Sequence, residues 1–336
     1  MKHLLLLLFL LVPAGCAQEA HSTPIQGQAE KIVSQLNSPW SIAYDGEDFF
    51  ISEKGGTIVK SSQDGNARRE NVNLSAPLSR AAESGLLGFV LDKDFQETHK
   101  AYAYYTYDLE GVPVNRIVSL LYDGDSWNEK EILLDDITSG PVHHGGRLAF
   151  SPDGILYATI GDGSNPDSAQ NPNSFNGKIL WLHKKNIFEI FTTGHRNPQG
   201  IAWDENGEMY ASEHGQSAND EINVIEEGNN YGWPIIEGNK SRVGMETPLQ
   251  TSGSNETWAP SGMTFHKGLL YVAALRGESI LVMDTKSGEV IDKIKGFGRI
   301  RDVFSDGESL YFITNNTDGR GNPSSEDDIL YRWMGN

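Results

Sequence analysis

The chain has 336 residues, 38% of them hydrophobic and 22% charged, with 46 acidic against 27 basic side chains and a formal net charge of −19. That excess of negative charge excludes general nucleic-acid binding and electrostatic docking on anionic lipid, both of which need a cationic surface. The hydrophobic fraction suits a folded domain with a sizeable core, and the acidity alone implies only a soluble surface.

Residues 1–16, MKHLLLLLFLLVPAGC, join a basic start at Lys2 and His3 to an apolar run from Leu4 to Val12 and a small-residue end at Ala14-Gly15. The run is too short for a stable spanning helix and reads as an export signal. The single cysteine, Cys16, directly follows Gly15. Its position resembles a bacterial lipobox, although Pro13 is unusual there. The expectation is a lipoprotein whose mature chain starts at Cys16 and is anchored on the outer face of the cytoplasmic membrane, with a periplasmic or secreted form as the alternative. Without a second cysteine, the exported domain stands without disulfides. Residues 17–30 are polar and aperiodic and read as a flexible tether.

From residue 31 onward one theme recurs: an apolar pair, a turn with Asp or Gly, then a β-rich strand. It runs as SIAYDGEDFFISE from Ser41, LLGFVLDKDFQETHKAYAYYT from Leu86, RLAFSPDGILYATIGD from Arg147, GIAWDENGEMYASEH from Gly200, GMTFHKGLLYVAALR from Gly262 and RDVFSDGESLYFITN from Arg301. Each copy has the signature of a hairpin. The starts lie about 40–60 residues apart, the spacing of propeller blades rather than of sandwich strands. Further strands are expected at NRIVSLLYD, GKILWLHKK, DEINVIEEG, SILVMDTKSG and DILYRWMG. Either the last of these or a first strand near Lys31 to Leu36 closes the ring. The fold class predicted is all-β, a six-bladed β-propeller over residues 31–336, with a tandem of β-sandwiches as the alternative.

In such a ring the loops at one end converge on the axis, so loop motifs carry the chemistry. His143 follows the turn at Pro141-Val142 and precedes two glycines that clear space beside it. A histidine titrates near neutrality and can take a proton from a hydroxyl; a loop histidine bonded to backbone is the plainer reading. Asp162, at the end of the next strand in IGDG, can orient that imidazole or simply form a turn. Arg196, Arg276 and the Arg299-Arg301 pair lie in loops or strand ends of different repeats. Arg299 and Arg301 alternate along one strand face, so both can point to one cavity.

ESGLLG at Glu83, HHGGR at His143, GHRNPQG at Gly194, EHGQSANDEINVIEEGNNYGWP at Glu213, APSGM at Ala259 and GRIRD at Gly298 together resemble the glucose/sorbosone dehydrogenase family, in the same order and over nearly the whole folded region. The resemblance implies a dehydrogenase using pyrroloquinoline quinone (PQQ) and calcium, oxidising an aldose at its C1 hydroxyl with hydride passing to the quinone. It makes His143, four residues before Arg147, the general base in preference to His144, with Asp162 as its partner. It assigns Glu83, Arg196, Asn197, Arg276, Arg299 and Arg301 to the cofactor, whose carboxylates suit forked guanidinium groups. It also assigns the backbone carbonyls of Gly215 and Gln216 to a calcium beside PQQ, and Asp220, Glu221 and Tyr231 to a second, structural calcium. Three positions depart from the pattern: Arg276 where lysine is common, Gln216 where proline is frequent, and Glu83 where some members carry glutamine. The chain has no CxxCH haem motif, so electrons must leave to an external acceptor. The expected partners are a small sugar, that acceptor and the membrane through Cys16, with the chain as monomer or homodimer. A calcium-dependent lactonase and a non-catalytic sugar- or protein-binding propeller are the competing readings; the arginines count against the first, while Glu83 and Gln216 favour the second.

Overall fold

Three of the repeated hairpins are set by the same local chemistry. Asp45 Oδ1 accepts the backbone N–H groups of Glu47 and Asp48, and Asp306 Oδ1 does the same for Glu308 and Ser309. Asp204 closes the equivalent turn onto Asn206 and Glu208. These side-chain acceptors fix the reversal and leave the flanking apolar residues to pair as strands. The second strands that follow are buried along their whole length, as in Leu156–Ile160, Met209–Glu213 and Leu310–Thr314.

A computed structural model describes residues 28–183 and 187–335. The expected export signal, Cys16 and residues 17–27 of the expected tether lie outside them. The described chain is nearly all β, with 24 strands in four four-stranded sheets and one eight-stranded sheet. The larger sheet is two four-stranded antiparallel meanders joined edge to edge where Asn71–Asn73 runs parallel to Ser126–Asn128. Counting those two separately, the chain forms six four-stranded antiparallel units. Their first strands are Pro39–Tyr44, Leu86–Leu91, Gly145–Phe150, Pro198–Trp203, Pro260–His266 and Ile300–Ser305. Each first strand packs against the next, and the sixth packs back on the first, so they form a closed cycle. Both expected closing segments take part: Ala29–Val33, starting two residues before the expected boundary, pairs antiparallel with Leu330–Trp333 as the outer strand of the sixth unit. Apolar layers fill the wedges between neighbours. Phe50 of the first unit, for example, meets Trp127 of the second edge-on with ring centroids 5.6 Å apart.

One position repeats around the centre. The third residues of the six first strands are Ser41, Gly88, Arg147, Gly200, Gly262 and Asp302, and the strand register shifts beside that position in every unit. Arg147 and Asp302, half the cycle apart, meet as a buried ion pair with Nη1 donating to Oδ2 at 2.9 Å. Arg147 Nε donates to the Gln199 carbonyl, and Asp302 Oδ2 also accepts the Ile42 N–H. Glycine is required for this crossing. A Cβ on Gly262 would lie 1.6 Å from Asp302 Oδ1.

Breaking a buried pair while leaving one charge behind typically costs 3–5 kcal/mol. Asp302→Asn is therefore expected to lower unfolding stability by about 3 kcal/mol, read as a reduced urea midpoint with an unchanged slope. A midpoint unmoved by this substitution contradicts a structural role for the pair.

Candidate functional site

Strand register places the site residues. One layer above the Arg147–Asp302 pair, the second residues of the first strands include Trp40, Leu87, Gln199 and Arg301. The residues just past three of the second strands are Lys54, His214 and Leu275. These seven line one pocket, whose rim is completed by Glu83, His144, Asp318 and Arg320. A second cleft adjoins it, lined by His143, Asp162, Arg196, Gln216, Trp233 and Lys240. The two are joined where Arg196 Nη1 donates to the His214 carbonyl and the His143 N–H donates to Glu83 Oε2, at 3.2 and 3.1 Å.

His143 is held from both ends. Its Nδ1 lies 2.8 Å from Asp162 Oδ1, and Arg196 Nη2 lies 3.0 Å from its Nε2. A guanidinium only donates, so Nε2 presents its lone pair and Nδ1 carries the proton toward Asp162. Asp162 is itself fixed, accepting the Ser164 N–H on Oδ1 and Trp233 Nε1 on Oδ2 at 2.8 and 2.9 Å. The backbone of His143 adopts φ of +65°. Its carbonyl approaches so near to Gly161 that a Cβ there would lie 1.9 Å away. His144, the neighbouring candidate, is turned inward. Its Nδ1 meets Ser139 Oγ at 2.8 Å, and burial pushes it down to about 4.

The pocket gathers cations under strain from burial. Burial pushes Arg301 down to about 10, and burial together with the Arg301 charge pushes Lys54 down to about 8. Arg301 Nη1 donates to Gln199 Oε1 at 2.9 Å, and its guanidinium lies 5.8 Å from the Trp40 ring. Arg299 is buried but turned to Asp318, with Nη2 donating to Oδ2 at 2.9 Å. Burial would raise the Glu83 carboxyl, yet the His143 N–H, the His214 imidazole and the Arg320 guanidinium together outweigh it and bring it down to about 2. Asn197 is buried and serves the backbone, its Oδ1 accepting the Gly145 N–H at 3.0 Å. Arg276 is exposed at the strand end, and its side chain joins neither cleft among the described residues.

The side chains expected to serve the structural calcium have partners within the protein. Asp220 accepts the Gly215 N–H on Oδ1, and Thr257 Oγ1 and the Trp258 and Ala259 N–H groups on Oδ2. The Tyr231 hydroxyl donates to the Val224 carbonyl, and its ring stacks on His195. Glu221 is raised by burial and by the facing Glu213 carboxylate, and its Oε1 accepts the Gly238 N–H. The N–H of Gln216 donates to Glu237 Oε1. Among the described residues no three His, Cys, Asp or Glu side chains converge in a metal-holding group. These contacts occupy side chains and N–H groups; the carbonyls of Gly215 and Gln216, the expected ligands of the calcium beside PQQ, are not among them.

Donors suited to an anionic, acceptor-rich molecule are present. His144 Nε2, His214 Nε2 and Arg196 Nε are buried with no hydrogen-bond partner. Unpartnered buried nitrogens are costly, and they sit beside desolvated cations. Sequence reading missed Lys54, His214, Gln199, Arg320, Trp40 and Trp233. Lys54 and His214 were detectable, because aligned on the strand ends they occupy the same position in SEKGG and SEHGQ.

The model of the Glucose / Sorbosone dehydrogenase family matches residues 36–331. The chain belongs to that family. Aldose sugar dehydrogenase YliI of Escherichia coli is 27% identical over 93% of this chain and 96% of its own length. The structure of the PQQ-bound form of aldose sugar dehydrogenase from Streptomyces coelicolor is 34% identical, with a TM-score of 0.82 over 90% of this chain and 96% of that one. A Xanthomonas campestris gluconolactonase, at 14% identity and a TM-score of 0.54, shares the fold alone. In the glucose/sorbosone dehydrogenase frame, the His143 and Arg301 surroundings described above are the candidate centre.

Burial lowers both His144 and His214 below 6.5, so in acid the unfolded chain binds protons that the folded chain refuses. Stability is therefore expected to fall as pH drops from 6.5 to about 4, by roughly 3 kcal/mol for His144 over the whole interval. Urea unfolding of wild type and His144→Gln across that range checks this, with a shallower decline expected for the variant.

Proposed function

We propose that this protein is a PQQ-dependent dehydrogenase oxidising aldose sugars at the C1 hydroxyl, built on a six-bladed β-propeller whose blades are the six meanders. The observation that carries the reading is the His143 arrangement. Its Nε2 is kept as an acceptor at the meeting of two clefts, one lined by desolvated cations and unpartnered nitrogens.

Arg301, Lys54 and Arg196 would hold the cofactor, with His144 and His214 available to donate toward its oxygens. When bound, PQQ supplies a quinone that accepts a hydride. The remaining work falls to the chain. The cleft with Trp233 and Lys240 would receive the sugar. Once the sugar hydroxyl displaces Arg196 Nη2 from it, His143 Nε2 takes the hydroxyl proton as the C–H bond breaks. Asp162 keeps Nδ1 protonated and stabilises the imidazolium that results, and Trp233 and Ser164 keep Asp162 from rotating. Arg196 stands between base and pocket, and its charge offsets negative charge developing there. Electrons then pass to an external acceptor. We further propose export with lipid attachment at Cys16.

The decisive assay adds PQQ, with and without calcium, to the apo-protein and follows absorbance together with dye reduction by a panel of aldoses. Saturable quinone binding and aldose-dependent reduction are expected. Neither appearing, with or without calcium, would sink the redox reading. His143→Ala is expected to lower turnover by about 10²–10⁴-fold while quinone affinity holds. Asp162→Asn is expected to fall in a similar range because it releases the tautomer. Turnover surviving His143→Ala would reassign the base.

A further inference from the structure

Glu83 puts a carboxylate on the rim of a pocket otherwise suited to an anion. Its low-lying acidity means that the charge is present throughout the physiological range. An uncompensated carboxylate there would repel the ligand that Arg301 and Lys54 attract. The structure supplies a compensating charge from a distant part of the chain. Both Arg320 terminal nitrogens donate to Glu83 Oε1 at 3.1 Å, while Glu83 Oε2 accepts the His143 N–H at 3.1 Å.

Glu83 precedes the second unit, whereas Arg320 lies in the long connection of the sixth unit between Thr314 and Leu330. Those units are not neighbours; the first unit lies between them, ending at Lys54. The pair therefore spans part of the pocket mouth above Lys54, and all three residues line the same pocket. The Arg320 connection is anchored independently: the Arg320 N–H donates to Asp318 Oδ1, and Asp318 Oδ2 accepts from Arg299. The Arg320 side chain remains about 48% exposed, so a rim position rather than core packing accounts for it.

We propose that Glu83 and Arg320 act as one charge-neutral unit of the anion pocket, in which Arg320 cancels the repulsion of Glu83 so that Glu83 can hold the His143 backbone without weakening cofactor binding. Arg320 is thus a positioning and compensating residue, not one that reacts. The inference rests on the PQQ reading above. It explains why an acidic residue at this place is compatible with an anionic quinone.

The test is a double-mutant cycle on quinone affinity, read by absorbance titration of apo-protein, with thermal melting as the folding control. Arg320→Gln leaves Glu83 uncompensated and is expected to weaken PQQ binding by about tenfold or more. Glu83→Gln keeps an acceptor for the His143 N–H and is expected to bind PQQ at least as well as wild type. Combining the two is expected to restore wild-type affinity, and raised salt should narrow the Arg320→Gln defect. Additive effects in the double variant, or an Arg320→Gln protein that binds as wild type does, would overturn the inference while leaving the PQQ reading intact. A wild-type protein that binds no quinone would overturn both.

Discussion

The buried ion pair between Arg147 and Asp302 is the constraint on which the rest of the molecule depends. Six wedge-shaped units arranged in a cycle bring six first strands together, and something must occupy the centre where they meet. Here two opposed units supply opposite charges, and the intervening positions are serine or glycine, small enough to let them touch. A buried pair adds little stability over an apolar filling, but it punishes a shifted register severely because either charge left alone is costly. The same pair sets the floor of the site. The Arg147 guanidinium lies 4.3 Å from the Trp40 ring, and Trp40 lines the pocket with Arg301 one residue from Asp302.

Above that floor the electrostatics run opposite to those of the whole chain. The protein carries a formal net charge of −19, yet its pocket collects Lys54, Arg301 and Arg320, with Arg196 adjoining. Burial makes Lys54, Arg301 and Arg196 less comfortable than they would be in water, so an anion entering the pocket relieves a cost already present. The imidazole of His143 stands at the boundary of this region. Its proton-accepting nitrogen is fixed by a chain of contacts through Asp162 to the Trp233 indole.

The sequence made the first three strands of most units legible and left most of the fourth strands obscure. First and second strands are largely buried and separated by short polar turns, so their apolar runs stand out, as in Phe49-Phe50-Ile51. Outer strands such as Ala67–Asn73 and Glu289–Lys295 have mostly exposed polar residues and no contrast to read. In the site, His143, Asp162 and Arg196 were recoverable because each sits in a compact motif, and the structure brings all three into contact. Arg301 reaches the expected pocket, but Arg299 is turned to Asp318 and Arg276 stays in solvent. Alternation along a strand is a poor guide to side-chain direction where the register shifts, as it does between Ile300 and Asp302. Arg320 was invisible because its meaning depends on a carboxylate 237 positions away.

The central claim is that one axial pocket holds a quinone next to a proton-accepting imidazole. A crystal structure of the PQQ-loaded protein tests it most directly. Quinone density is expected between Trp40, Lys54 and Arg301, within reach of His143 Nε2. Density for the quinone on the outer rim, or a pocket that stays empty at saturating PQQ, would contradict it.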